Sequence, residues 1–237
     1  MQADRNKSKI KNCSFIEFLN DELFINLMGI NTEYIKAKEK VAKLFKNKHG
    51  KPNENARLPL GQTLTSRFPV LDLGIQPDFN PRTYKLRVYG LAEEKTFTYN
   101  DILKMKATEF TEDLHCVTHW SKFDVKWKGI LWKDFVKIVK PKENWKFIIQ
   151  YGLDGYTTNV SREDLEKGNV LIAYELEGKQ IPKEHGWPLR LIIPHLYAWK
   201  GSKFLTAIKF IEKDEPGFWE VRGYHNRGNA FLEERYG

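Results

Sequence analysis

Cysteine and long apolar runs are scarce in this chain. Its 237 residues include two cysteines, Cys13 and Cys116, which cannot form a disulfide framework and favour a reducing compartment. No stretch approaches the roughly 18 consecutive apolar residues of a transmembrane helix. The basic N-terminus lacks the uninterrupted apolar segment of a secretory signal. These absences predict a cytoplasmic protein without a membrane span.

Several common functional motifs are missing as well. The sequence contains no GxGxxG, no Walker loop, no HExxH and no pair of CxxC motifs. Strands alternate with short helices and show no βαβ rhythm, which predicts a mixed, strand-rich α+β fold without a Rossmann sheet. The predicted strands cover 83–90, 96–99, 145–151, 170–176, 189–194 and 204–211, and the second of these could pair with the first. Short helices are predicted at 100–105, with Thr98 or Asn100 as the cap, and after Ser161.

Positive charge is concentrated near the N-terminus. Residues 1–57 hold 12 lysines and arginines against 7 acidic residues, a net charge of +5 out of +8 for the chain. Apolar residues recur at helical spacing between 15 and 45, which predicts two amphipathic helices broken near Gly29. We expect residues 1–52 to form a helical extension and 53–237 the main domain. The preferred interpretation of the lysines is a solvated helix face; a partner for these helices stays open, and no nucleic acid is expected.

The second cysteine stands in a chemically crowded stretch. Cys116 lies between His115 and His119 and is followed by Trp120. We expect it in a loop that follows a short strand. A thiolate is a nucleophile or a ligand for a soft metal. Three interpretations follow from this stretch alone: a buried apolar cysteine, the nucleophile of a thiol hydrolase with His119 as its base, or a metal ligand.

A second stretch has the composition of a phosphate site. A Gly-Trp-Pro turn separates His185 from Arg190, and Gly201-Ser202-Lys203 follows ten residues later. Arginine offers a planar fork, lysine a point charge, and a Gly-Ser backbone unhindered amide donors. The alternative is an ordinary strand start with surface cations.

Taken together, these stretches resemble the sulfite oxidase family of molybdenum enzymes, in its compact cytoplasmic branch. The resemblance extends from about Leu58 to the end of the chain. It rests on the order and spacing of Ser66-Arg67-Phe68-Pro69-Val70, the Cys116 stretch, Tyr151-Gly152-Leu153-Asp154, His185-Gly186-Trp187-Pro188-Leu189-Arg190, Gly201-Ser202-Lys203 and Phe218-Trp219-Glu220-Val221-Arg222-Gly223-Tyr224-His225. It implies an α+β domain built around a molybdenum-molybdopterin cofactor.

The resemblance also implies residue roles. Cys116 would be the thiolate ligand of molybdenum, and Tyr224 the active-site tyrosine. The cofactor phosphate would lie against Arg190 and the 201–203 segment, and the pterin would contact Asp154 and His185. The complete set of implied cofactor-binding residues is Thr63, Leu64, Thr65, Ser66, Arg67, Cys116, Asp154, His185, Arg190, Gly201, Ser202 and Lys203.

The chain departs from the family where sulfite would bind. The family follows its ligand cysteine with Ala-Gly-Asn-Arg-Arg, whereas this chain continues Val-Thr-His-Trp-Ser, and Thr65 replaces an expected arginine. The run Cys-Val-x-x-Trp-Ser is more similar to the bacterial methionine-sulfoxide-reducing branch. We therefore predict oxygen-atom transfer with a sulfoxide or N-oxide rather than with sulfite, with His119 as a further catalytic candidate. Arg67 and Arg222 are the residues that could restore an anion site.

The prediction is thus a molybdenum oxidoreductase that acts on a small molecule and exchanges electrons with a separate carrier protein. Two alternatives belong to other classes. One is a cofactor-free interaction module on the same fold, and the other is the Cys116–His119 thiol hydrolase.

Overall fold

A computed structural model describes residues 29–46 and 57–237, and within them the chain folds into strands joined by short helices. The helices are α1 (Thr32–Leu44), α2 (Tyr99–Lys104), α3 (Trp132–Val139) and α4 (Arg162–Leu165). The strands are β1 (Thr63–Leu64), β2 (Lys85–Gly90), β3 (Lys95–Thr98), β4 (Thr108–Cys116), β5 (Trp120–Leu131), β6 (Phe147–Gly152), β7 (Thr157–Ser161), β8 (Leu171–Leu176), β9 (Lys179–Gln180), β10 (Arg190–Ile192) and β11 (Leu205–Ile211). None of these helices combines the length and apolar content needed to cross a bilayer.

The described strands form two sheets. One has the order β1-β5-β8-β10, with β4 paired to β5 and β9 to β8; the other has the order β3-β2-β11-β6-β7. Strand β11 runs parallel to β2 and antiparallel to β6. The predicted mixed α+β fold is therefore confirmed.

Alternation of side chains decides which face of β2 is buried. Tyr84, just before the strand, and Leu86 and Val88 within it are buried, whereas Lys85 and Arg87 are exposed. The buried face joins a core that both sheets share, because successive side chains of a strand point to opposite faces. Its neighbour β3 pairs with β2 as predicted, and a capping box at Thr98 begins α2.

The longest strand escaped the sequence prediction. Strand β5 spans 12 residues and pairs with β1, β4 and β8, so it forms the centre of its sheet. The prediction of a short strand followed by a loop at Cys116 was wrong: β4 has nine residues, and Cys116 is the last of them. In β4 and β5, charged residues interrupt the alternation of apolar residues from which a strand is predicted. The strands form nonetheless, because their pairing with distant segments outweighs the local conformational preference of these residues.

Helix α1 packs against the main domain. The Asn31 side chain accepts a hydrogen bond from the Tyr34 backbone and caps the helix, which fits the predicted break near Gly29. Ile35 and Ala42 are buried in the same apolar cluster as Cys116. The other predicted helix and the domain boundary at 52 lie outside the described residues.

Candidate active site

A cleft opens where β4 ends. Its lining combines many apolar and aromatic side chains with a few polar groups, which is the usual composition of a ligand or cofactor site. Five stretches contribute to its wall: α1, the segment before β2, the end of β4 with the turn after it, the turn between β6 and β7, and the segments between β8 and the end of the chain. Seven residues predicted from the sequence line the cleft: Cys116, Asp154, His185, Arg190, Gly201, Lys203 and Tyr224.

A tight hairpin holds Cys116 at the cleft. Cys116 is paired with Trp120 across the β4–β5 turn, and His119 has a left-handed backbone with φ 68°. The cysteine is 6% exposed, and its Sγ lies 3.1 Å from the Thr118 hydroxyl. Burial raises the pKa of the Cys116 thiol, which the Thr118 hydrogen bonds partly oppose. A bound metal cation would favour the thiolate.

Three nitrogen-bearing side chains form what we call the cationic end of the cleft: His185, Arg190 and Lys203. Arg190 is 3% exposed and donates from Nη1 to the His185 carbonyl at 2.8 Å. Lys203 Nζ donates to the Leu71 and Glu184 carbonyls at 2.8 and 2.7 Å. No carboxylate forms an ion pair with Arg190 or Lys203 within the part of the chain that the structure describes.

Burial lowers the pKa values of the basic side chains at the cationic end and so disfavours their charged forms. It lowers the pKa of Arg190 to about 10, and burial together with Arg190 lowers the pKa of Lys203 to about 8. Burial and the two neighbouring cations lower the pKa of His185 to about 4. An anionic ligand would offset the cost of holding Arg190 and Lys203 charged, since an opposite charge favours the ionised form.

Asp154 also lines the cleft. Its Oδ1 accepts the Tyr156 backbone N–H at 3.1 Å, and burial raises the pKa of the carboxyl to about 7. Gly152 precedes it because a Cβ there would lie 2.3 Å from Asp154 Oδ1. With a pKa near neutrality, this carboxyl can donate a hydrogen bond when it is protonated and accept one when it is ionised.

Other predicted residues lie outside the cleft lining. The 63–67 segment begins as β1, parallel to β5, and it leads into Phe68 and Pro69, which do line the cleft. Arg67 is exposed. His119 is exposed as well, and its Nδ1 lies 2.8 Å from the Gly61 carbonyl oxygen. Ser202 is fully buried and donates its backbone N–H to Gln150 Oε1.

A second group of cleft-lining residues is aromatic, and we call it the aromatic end; the sequence predicted only one of its members as a site residue. Tyr224 packs against the rings of Trp219 and Trp199, with centroid distances of 4.9 and 5.3 Å. Tyr156 donates its hydroxyl to the Trp199 carbonyl at 2.6 Å. Tyr34 of α1 completes this end. The concentration of tryptophan after residue 120 was the available signal for Trp199 and Trp219, but Tyr34 had none.

Two buried arginines donate hydrogen bonds to backbone carbonyls. Arg235 is buried and donates to the Val117 carbonyl at 2.8 Å and the Leu60 carbonyl at 3.1 Å, which fixes the turn after Cys116. Arg222 donates to the Phe218 carbonyl at 2.7 Å and lies 3.0 Å from Glu39 of α1. Its guanidinium therefore already has an anionic partner.

The residues present fit a phosphorylated cofactor with a thiolate-bound metal. Arg190 Nε and His185 Nδ1 are buried and have no hydrogen-bond partner among the described residues. Such atoms call for a ligand, because an unpaired buried donor costs about 1–3 kcal/mol. No group of three or more His, Cys, Asp or Glu in the described ranges could hold a metal by itself. A lone cysteine beside a cationic set of side chains fits a metal that arrives bound to an anionic organic cofactor.

Comparison with known proteins identifies that cofactor. Residues 73–219 match the family described as oxidoreductase molybdopterin binding domain, so the chain belongs to this family. Its cofactor is molybdenum-molybdopterin, and the protein is an oxidoreductase of the sulfite oxidase type, as the resemblance implied. Membership of this family favours the molybdenum oxidoreductase over the two alternatives, the cofactor-free interaction module and the thiol hydrolase.

Relatives differ in how much of their length the chain spans. It is 35% identical over 195 residues to "Uncharacterized oxidoreductase YuiH" of Bacillus subtilis, covering 81% of this chain and 98% of that protein. It is 25% identical to the MsrP protein-methionine-sulfoxide reductase catalytic subunit of Ralstonia nicotianae, covering 62% of this chain and 50% of the relative. The crystal structure of the sulfane dehydrogenase SoxCD from Paracoccus pantotrophus shares the fold, with a TM-score of 0.57 at 17% identity, over 68% of this chain and 47% of that one.

Proposed function

We propose that this enzyme reduces a small neutral sulfoxide or N-oxide and handles sulfite poorly. In this proposal Cys116 is the protein ligand of molybdenum, and Arg190 and Lys203 hold the cofactor phosphate. His185 and Asp154 contact the pterin. Tyr224 donates a hydrogen bond to the substrate oxygen; burial raises the pKa of its phenol, which keeps the proton in place.

The observation that carries the proposal is the character of the aromatic end. A doubly charged oxyanion needs several cations in a desolvated pocket, since an unpaired buried charge costs several kcal/mol. Arg67 is exposed, and Arg222 is paired with Glu39. The rings of Trp199, Trp219 and Tyr224 offer apolar contacts and neutral donors instead.

The bound molybdenum cofactor supplies the two-electron chemistry of oxygen-atom transfer. In the proposed direction the S–O bond breaks, sulfur gains two electrons, and the oxygen leaves as water with two protons. The electrons arrive one at a time from a separate carrier protein. The name of the MsrP relative, a catalytic subunit, supports an enzyme that works with a partner. The cytoplasmic location stays a prediction.

Metal analysis combined with two assays tests the proposal. We expect about one molybdenum and one releasable pterin per chain, reduction of an aryl methyl sulfoxide by a chemically reduced dye, and little oxidation of sulfite. Efficient sulfite oxidation at micromolar concentration, lost in Arg67→Ala or Arg222→Ala, would overturn the substrate assignment.

A further inference from the structure

Helix α1 brings a second phenol to the cleft. Tyr34, in the first turn of α1, lines the cleft together with Cys116 and Tyr224. The helix lies outside residues 73–219, which match the family. Tyr34 is therefore a feature that the matched domain does not account for.

Contacts along α1 fix Tyr34 in place. At the start of the helix, the Asn31 backbone N–H donates to the Leu73 carbonyl at 3.0 Å, and Leu73 also lines the cleft. In the middle, Glu39 forms the ion pair with buried Arg222. Near the end, Ala42 is fully buried against Gly223, where an added Cβ would lie 3.3 Å from the Ala42 Cβ.

The helix presents one consistent face to the domain. Tyr34, Ile35, Lys38, Glu39 and Ala42 are buried or half-buried, and their spacing places them on one side of an α-helix. Lys38 Nζ lies 5.4 Å from the centroid of the Tyr34 ring, which is within the range of a cation–π contact. This contact restrains the ring from its outer side.

The electrostatics agree with a phenol close to the thiol. Burial, followed by the charge of Cys116 and then of Asp72, raises the pKa of Tyr34 to about 12. Tyr34 in turn is one of the groups that raise the pKa of Tyr224. Both phenols thus keep their protons at neutral pH and can donate hydrogen bonds.

We propose that Tyr34 forms the outer wall of the substrate end above Cys116 and donates a second hydrogen bond to the oxygen of a bound neutral S-oxide. The role of Tyr34 as a hydrogen-bond donor to the S-oxide rests on the proposed function. Its position as a wall of the cleft is independent of that function. Two neutral phenols that line one cleft suit an S–O dipole, whereas a sulfite dianion would require several cations. Helix α1 would then set which substrates reach the metal ligand.

One test measures turnover. In the holoenzyme, Tyr34→Phe keeps the ring and removes the donor, and we expect kcat/KM for an aryl methyl sulfoxide to fall about tenfold, the equivalent of one hydrogen bond. Molybdenum content and Tm should not change. The matched control Tyr89→Phe alters a tyrosine on β2 outside the cleft and should stay within about twofold of wild type. Unchanged kcat/KM in Tyr34→Phe would overturn the donor role.

The second test needs neither cofactor nor substrate. In full-length cofactor-free protein carrying Cys13→Ser, the rate of Cys116 alkylation by iodoacetamide reports access to the thiol. We expect Tyr34→Ala to raise this rate several-fold, and Tyr34→Phe and the exposed control Lys36→Ala to leave it unchanged. The same alkylation rate in Tyr34→Ala and in wild type would contradict the proposal that Tyr34 forms this wall. A wild-type enzyme inactive on sulfoxides would overturn the proposed function and the donor role together, while the alkylation rates would still decide the wall.

Discussion

The two ends of the cleft are built from opposite kinds of side chain. At the cationic end, buried Arg190 and half-buried Lys203 line the cleft, where an anion would favour their charged forms. At the aromatic end, Tyr34, Trp219 and Tyr224 offer neutral surfaces and donors. In the proposed function the first set holds the cofactor phosphate, because charge-assisted hydrogen bonds hold a permanent anion strongly. The second set would bind a substrate and release its product, a role that neutral contacts suit.

Cys116 lines the cleft with both groups, and its charge acts on Arg190, Lys203 and Tyr224, so its loss should have the largest effect. In Cys116→Ser the hydroxyl is a poor replacement for a thiolate ligand. We expect a folded protein that retains pterin but loses turnover at the aromatic end to below detection. Analysis of released pterin and a sulfoxide assay measure these two outcomes. Cys13→Ser is the control and should behave as wild type; a fully active Cys116→Ser enzyme would contradict the assignment.

Asp154 should produce a pH-dependent change in stability. Its pKa is raised from 3.8 to about 7, so the folded protein binds this proton more tightly than the unfolded chain. The free energy of unfolding then falls as pH rises from about 4 to about 7 and stays lower above pH 7. Asp154→Asn removes this dependence and should stabilise cofactor-free protein at pH 8 by up to about 4 kcal/mol, at 1.36 kcal/mol per pH unit.

Denaturant unfolding at pH 4 and pH 8 measures the effect of Asp154→Asn. The gain should vanish at pH 4, where the carboxyl is protonated in the folded protein. Asp78→Asn is the matched control, because exposed Asp78 pairs with Lys183 and its pKa is lowered. A gain at pH 8 in both variants would show that the effect is not specific to the cleft.

Arg190 tests the cationic end directly. Its charge-assisted bonds to a phosphate are worth roughly 1.5–3 kcal/mol, so Arg190→Ala should weaken cofactor retention about 10- to 150-fold. Arg190→Lys should rescue retention only in part, because the bidentate fork is lost. Pterin content after dilution and gel filtration measures this. Equal pterin content in both variants and wild type would show that Arg190 does not hold the cofactor.

Arg67 should give the smallest effect. It is exposed and does not line the cleft, so Arg67→Ala should change sulfoxide reduction by less than about twofold. A larger loss, confined to kcat/KM and reproduced with sulfite, would mean that Arg67 enters the site when substrate is bound. The neutral character assigned to the aromatic end would then be wrong.

Local patterns predicted a good part of this protein. Alternation revealed the buried face of β2, and the Thr98 and Ser161 caps marked the starts of α2 and α4. These signals depend only on neighbouring residues, so they can be recognised from the sequence alone. Strand β5 was missed because its pairing with β4 and β8 is what stabilises it.

The chemistry of the cationic end and the cysteine was determined by the sequence itself. Residue type decides which groups can ligate a soft metal or hold a phosphate, and seven predicted residues line the cleft together. Tertiary structure alone decided how the remaining residues are used. It placed Tyr34 at the cleft, paired Arg222 with Glu39, and positioned Arg235 to hydrogen-bond to the turn after Cys116. Such contacts join residues up to 183 positions apart, for Arg222 and Glu39, and no local pattern specifies which distant side chain a guanidinium will meet.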